Sequence, residues 1–428
     1  MKGKKFLQNV TGNTLGVLSL IGMVTPLYGA GFQLAERSVK GLGRAYAGEA
    51  AIADDASVIA SNPAGMTKLS GTQVTTGMFY LAPDISVNAT NNVTRAQAST
   101  NNAAPDAFIP TVFVSHQVDD RLSVGLGIFS AYGLQTDYSG DMLSVIGTDR
   151  SEILTVSVNP SLAFKLSDKV SFGAGLNVTY VKGELTAASI YTSHPLYGAI
   201  PTPSFRLQGD DVVLGYHIGL LYEPIEGTRI GLSYRSALDV TIEGDAQVGA
   251  ELDTVTGGQI AYAGDYDATL QMTLPEIVEL SVYHELTDRL ALHGDVSWTQ
   301  WSHFKEIAPE LGGAAVEQAL YTPSNWNDSF RLSVGATYQA SDKLTVRAGF
   351  AWDQSPVEDE YRTYRIPDAE RYWLSCGATY AVNDNLVVDA GYTHVLAEGT
   401  TINSAHEKAT ATSSGAVNIF GLGATYLF

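Results

Sequence analysis

From Thr72 to Phe428 the chain repeats one pattern: apolar residues at every second position, then a polar interruption. After Lys169, the residues Val170, Phe172, Ala174, Leu176, Val178 and Tyr180 share one parity, with Ser171, Gly173, Gly175, Asn177 and Thr179 between them. After Lys343, Leu344, Val346, Ala348, Phe350 and Trp352 alternate with Thr345, Arg347, Gly349, Ala351 and Asp353. A period of two marks a strand with two unlike faces. Carried along the chain, the pattern predicts about fourteen strands. They begin near Thr72, Ala107, Arg121, Glu152, Lys169, Asp210, Gly227, Ala268, Arg289, Ser324, Lys343, Glu370, Asn385 and Ser414.

The connections alternate in length. Short turns fall at Asp119-Asp120, Ser167-Asp168, Glu223 to Glu226, Thr287-Asp288, Ser341-Asp342 and Asn383-Asp384. Long segments lie at 84–106, 134–151, 185–209, 242–267, 304–323, 357–369 and 400–413. Short turns at one end and long loops at the other are the habit of transmembrane barrels, and a soluble sandwich rarely sustains them over so many hairpins. In hydrocarbon each unpaired backbone N–H or C=O costs several kcal/mol, so strands can span a bilayer only as a closed barrel. The apolar parity then faces lipid and the polar parity a lumen. The expected fold is all-β: a transmembrane antiparallel β-barrel over 72–428, with residues 31–71 as a plug in its lumen.

Composition supports this picture. The chain is 45% hydrophobic but only 16% charged, with 42 Gly and 22 Tyr, whereas a soluble domain carries about a quarter charged residues. No apolar run after residue 30 approaches the roughly 18 residues of a membrane helix. A net charge of −20 excludes a nucleic-acid partner, which needs a basic face. The lone Cys376 excludes a disulfide framework. Lys2, Lys4 and Lys5, the apolar stretch Leu15 to Leu27, and Tyr28-Gly29-Ala30 form a secretory signal over residues 1–30. The final strand places Phe420, Leu422, Ala424, Tyr426 and Phe428 on one face. This terminal aromatic strand resembles the signal read by the barrel assembly machinery.

Residues 31–66 read GFQLAERSVKGLGRAYAGEAAIADDASVIASNPAGM, rich in Ala and Gly, with neither strand alternation nor a long helical period. A barrel of this size is too wide for its own side chains to fill, and 31–71 is the segment available to block it. GFQL, the ADDA stretch and NPAGM resemble the N-terminal hatch of the FadL family, outer-membrane transporters of long-chain fatty acids and other hydrophobic compounds. Leu274-Pro275-Glu276, Thr299 to Phe304 and Asp353 to Ser375 (DQSPVEDEYRTYRIPDAERYWLS) are similar to that family as well.

The resemblance implies a fourteen-stranded barrel in the bacterial outer membrane, with the hatch inside and both termini on the periplasmic side. It implies capture of substrate among the external loops, passage to a lumen pocket, rearrangement of the hatch, and sideways exit into lipid through a kink in the third strand. Within the family, uptake of monoaromatic hydrocarbons is the alternative to long-chain fatty acids. A barrel with an adhesive, structural or hydrolytic role is the alternative outside it. The apolar clusters Ile190 to Ile200 and Ala314 to Tyr321 favour transport.

Candidate residues follow. By resemblance Phe32 is a ligand contact; a packing aromatic is the other reading. Asn62, Pro63 and Ala64 form a turn that either gates the plug or anchors it. Gly125 and Gly127, on the lumen parity of the third strand, either mark the kink or make room for the plug. Alternation puts Arg235, Arg331, Arg347 and Lys165 in the lumen. They either receive a ligand carboxylate or pair with the lumen acids Glu279, Asp295, Asp353 and Asp389. His217 and His293 face the lumen, His116 and His284 the other side, and Asp54-Asp55 is a cap or ion-pair partner rather than a metal site. Neither a nucleophile elbow nor HExxH is present. The expectation is therefore no catalytic residue, metal or cofactor.

Overall fold

The computed structural model describes residues 31–194, 198–201, 204–249, 263–313 and 317–428. The expected signal over 1–30 lies outside them, as do parts of the apolar clusters 190–200 and 314–321. Fourteen barrel strands run through the described residues. They are β1 (Thr72–Asn91), β2 (Ala107–Gln117), β3 (Leu122–Phe129 and Gly133–Asp137), β4 (Thr148–Ser167), β5 (Val170–Ala187) and β6 (Phe205–Tyr222). Then come β7 (Thr228–Arg235 and Leu238–Val248), β8 (Gly264–Leu274 and Ile277–Thr287), β9 (Leu290–Thr299) and β10 (Ser329–Gln339). The last are β11 (Leu344–Asp353), β12 (Arg371–Ala381), β13 (Leu386–Ile402) and β14 (Ala409–Leu427). Neighbours pair antiparallel, and the sheet closes where β1 meets β14, from Gln73↔Leu427 to Asn91↔Ala409. Closure removes the edges that lipid would leave unpaired.

At the level of the short turns, outward positions are apolar and exposed, as at Leu214, Leu220 and Leu422. Inward positions there are polar and buried, as at Ser171, Thr179, Ser233, Ser281 and Thr393. Toward the long loops the parity continues but the chemistry inverts. In β5 the outward series Leu176, Val178 and Tyr180 continues as Lys182 and Glu184, while the inward series passes from Thr179 to Val181 and Leu185. Leu207, Ile242 and Leu270 are likewise buried inward, between outward Gln208, Glu243 and Thr269. For this reason several strands extend past the positions where the apolar pattern begins or ends. β4 starts at Thr148, β6 at Phe205, β8 at Gly264 and β14 at Ala409. The segments expected to be wholly loops thus carry strand, and the lumen expected to be polar throughout is apolar at this end.

Residues 31–71 fill the barrel as short turns of helix: α1 (Val39–Leu42), α2 (Glu49–Ile52), α3 (Val58–Ser61) and a 3-10 turn, Pro63–Lys68. Ser38 Oγ caps α1 by accepting the Gly41 N–H at 3.0 Å. Asn62 Oδ1 caps the 3-10 turn by accepting the Ala64 N–H at 3.0 Å. Such caps satisfy N–H groups that a short helix leaves open. Ala and Gly let this backbone press against the wall: a Cβ at Gly231 of β7 would lie 1.9 Å from the Ala50 carbonyl oxygen. Gly231→Ala should therefore destabilise the seated hatch by about 1–3 kcal/mol, the cost of overpacking. The check is a lower thermal unfolding midpoint of purified protein; an unchanged midpoint would mean the hatch does not sit there.

Candidate functional site

The third strand is interrupted at Ser130–Tyr132. Its pairing with β2 runs from Gln117↔Ser123 only to Val112↔Ile128, while the second piece pairs with β4 through Gly133↔Leu154 to Asp137↔Arg150. Residues 107–111 of β2 thus have no ladder to β3. Pro110 lies in this stretch, and a proline, lacking an N–H, is tolerated where a strand has a free edge. Gly125 and Gly127 sit earlier, in unbroken ladder. A Cβ at Gly125 would meet Ile59 and Met66 of the hatch at 2.6 Å, so these glycines face the plug and the interruption lies further along.

The start of the hatch covers the break from within. The Leu34 N–H donates to the Ala131 carbonyl at 2.9 Å and the Gly133 N–H to the Phe32 carbonyl at 2.8 Å, around an antiparallel Gln33↔Tyr132 bridge. Tyr132 is fully buried; its hydroxyl donates to the Pro275 carbonyl at 2.6 Å, where β8 is itself broken. Phe32 is enclosed by aromatic rings, with centroids at 4.6 Å to Trp301, 5.4 Å to Phe304, 5.7 Å to Trp326 and 6.5 Å to Tyr132.

Beyond Phe304, toward the long loops, the lumen holds an apolar pocket. Leu134, Ile153, Leu185, Leu207, Ile242 and Leu270 line it from the wall, and Phe304, Ile307, Arg365 and Ile366 from two loops. The 354–370 loop is folded into the barrel mouth. Arg362 holds it, with Nε donating to the Asp368 carbonyl at 2.8 Å and Nη2 to the Val357 carbonyl at 3.0 Å. Arg371 pairs with Asp368 at 3.1 Å. Burial pulls the Arg365 guanidinium down to about 10, with Glu407 and Asp149 acting the other way, so it stays charged at neutral pH.

The lumen arginines are committed elsewhere. Arg235 Nη2 donates to the Ala60 carbonyl at 2.6 Å and Arg331 Nη2 to the Ala45 carbonyl at 2.9 Å. Arg347 donates to Thr379 Oγ1 at 2.6 Å and lies 3.8 Å from Asp54. All three clamp the hatch or the wall beside it. Lys165 pairs with Asp168 at a turn, at 2.9 Å. Of the acids, Glu279 pairs with Arg37 at 3.8 Å and Asp353 with Arg371 at 3.6 Å, while Asp295 and Asp389 accept from Ser281 and Thr379. Asp54 and Asp55 pair with Arg44 at 3.0 Å and Lys40 at 3.1 Å.

Asn62 Nδ2 donates to the Ala50 carbonyl at 2.7 Å and, across to β6, the Leu220 carbonyl at 3.0 Å. Asn62, Pro63 and Ala64 therefore join hatch to wall, opposite Gly219 and Gly173, where a Cβ would collide with them. Arg365 and Phe304 were not singled out from sequence as pocket residues. They lie in loops without periodicity, and the signals for them are the likeness of Thr299 to Phe304 and Asp353 to Ser375 to the FadL family and the charge between apolar neighbours in Tyr364-Arg365-Ile366.

A family model described as outer membrane protein transport protein (OMPP1/FadL/TodX) matches residues 23–428. The chain is 35% identical to the 47 kDa outer membrane protein of Pasteurella multocida over 445 aligned positions, covering all of both chains. It is 32% identical over 374 residues to the long-chain fatty acid transport protein of Escherichia coli O6:H1, covering 82% of this chain and 83% of that one. The crystal structure of a Pseudomonas aeruginosa FadL homologue superposes with a TM-score of 0.82 at 22% identity, over 93% of this chain and 99% of that one.

Proposed function

Since the chain belongs to the OMPP1/FadL/TodX family of outer-membrane proteins that transport hydrophobic compounds, we propose that it carries long-chain fatty acids inward by passive, ligand-gated diffusion. Substrate collects in the apolar lumen pocket and leaves sideways into the membrane between β2 and β3. A fatty acid gains about 0.8 kcal/mol per buried CH₂, so a watery channel would obstruct it while an apolar route into lipid would not.

One observation carries this reading: a single segment serves both places. Phe32–Leu34 seals the interrupted strand with its backbone, and Phe32 packs on Phe304, which lines the pocket. A ligand that displaces Phe304 or Phe32 therefore loosens the seal at the wall. Opening needs only a few hydrogen bonds, each of modest net worth, about 1 kcal/mol, which is within the differential binding a ligand can supply. The clamps by Arg235, Arg331 and Asn62 hold the rest of the hatch, so small polar solutes stay excluded while the first residues move. Asn62, Pro63 and Ala64 act in this reading as the anchor about which the segment moves, and the barrel reaches the membrane through the assembly machinery that reads its Phe428 strand.

Uptake of labelled oleate, with toluene beside it, tests the proposal in cells lacking their own transporter. Oleate entry should depend on the gene. Entry of toluene alone would move the protein to hydrocarbon uptake, and entry of neither would overturn transport of both.

A further inference from the structure

We propose that Arg365, on the loop between β11 and β12, receives the carboxylate of an acyl chain lying in the lumen pocket and so makes the pocket select acids over neutral chains. The inference rests on the transport reading above and names the chemistry of its pocket.

Two other charged residues border the pocket, Glu152 and Glu184. They lie directly opposite one another on β4 and β5, at the outward parity of those strands. Arg206 pairs with Glu184 at 3.1 Å, Lys182 lies 3.6 Å from Glu152, and Arg150 also binds Glu152. Both acids are thus neutralised on the far side of the wall, leaving Arg365 as the charged group presented to this pocket among the described residues.

Its hydrogen-bond partners are neutral, and the acids that act on its charge, Glu407 and Asp149, form no ion pair with it. Arg365 Nη1 donates to Ser151 Oγ at 2.9 Å and to the Thr186 carbonyl at 3.3 Å, and the guanidinium lies 5.4 Å from the Phe205 ring centroid. Among the described residues no carboxylate is within ion-pair distance, and Nε and Nη2 donate to none. The edge of the guanidinium therefore keeps donors for a carboxylate, which it can bind with two parallel hydrogen bonds. The backbone is fixed as well: the Arg365 carbonyl accepts from Thr136 Oγ1 at 3.1 Å, on the strand that borders the gap. An acyl chain anchored here would run along Leu134 and Ile153 toward Phe304 and Phe32, placing its tail, not its charged head, against the seal.

The test compares oleate with oleyl alcohol, the same chain without the carboxylate, binding to the purified full-length protein in lipid nanodiscs. Arg365→Gln should weaken oleate by about tenfold or more, the worth of a charge-assisted hydrogen bond, and leave oleyl alcohol unchanged. Arg365→Lys should retain part of the difference. Unchanged alcohol binding also certifies that the variant is folded. Equal loss of both ligands would make Arg365 a packing residue, and no loss of either would leave it without a role; both overturn the proposal. A wild-type protein that binds the alcohol but not oleate overturns it alone. One that binds neither overturns the transport reading and this inference with it.

Discussion

Cells carrying a Gln33→Cys, Tyr132→Cys pair will take up no more oleate than cells without the gene, until a reductant restores entry. The two bonds flanking this bridge run from the Leu34 N–H to the Ala131 carbonyl and from the Gly133 N–H to the Phe32 carbonyl. That is the pattern of a non-hydrogen-bonded antiparallel pair, whose Cα atoms stand about 4.5 Å apart, inside the range a disulfide spans. The bond would tie the start of the hatch to the interrupted strand while leaving the pocket, the barrel ladder and the remaining clamps as they are. The native Cys376 is exposed on β12 and is first replaced by Ser to avoid mixed bonding. Tyr132→Cys alone controls for the lost contact to Pro275. Full uptake by the oxidised pair would show that substrate leaves by another route, and the sideways exit between β2 and β3 would be abandoned.

Removing Gly31–Gly71 will leave a folded, heat-modifiable barrel that admits small sugars in a liposome-swelling assay at least about tenfold faster, because a barrel of this strand number encloses an open lumen once its filling is gone. The wall tolerates the loss for a physical reason. The surface it would expose carries Ser171, Ser233, Ser281 and Thr393, all buried now and all able to bond water instead, beside the apolar Phe79, Phe113 and Phe129. Arg235 and Arg331, which give up the Ala60 and Ala45 carbonyls, would be hydrated rather than stranded in an apolar interior, the case that is costly. The interstrand ladder, including β1 with β14, does not pass through the hatch. A barrel that fails to fold would mean the hatch is part of the folding core; one that stays tight would mean that residues 31–71 do not seal the lumen.

Much of this architecture was legible along the chain because a transmembrane strand has only two faces and lipid reads one of them. Val170 to Tyr180 and Leu344 to Trp352 show it directly, and the short turns between them mark the register of the hairpins. The hatch was legible by contrast, as a segment of small residues, longer than any of the loops, that obeys no period. The inverted strand ends were not. At Lys182-Gly183-Glu184-Leu185 the outward position turns polar because it leaves the lipid, and the inward one turns apolar because it enters the pocket. Near the crossover neither face is distinct. The gap was hidden for a related reason: Ser130-Ala131-Tyr132 breaks pairing with a strand distant in sequence, and only Pro110 on that partner hinted at a free edge.

The sequence alone thus determined the class of fold, the number of spans, their alternation and the presence of a filling segment, since each is a local property of residues against a solvent. Which arginine faces the apolar pocket was decided only by tertiary structure. Arg235, Arg331 and Arg347 share the lumen parity, yet the hatch backbone or the wall beside it occupies each of them. Arg365 obeys no pattern, yet the folding of its loop into the barrel mouth brings it to the pocket. A charged side chain's availability depends on which acceptors reach it in space, and those belong to segments the chain brings together only by closing the barrel around them.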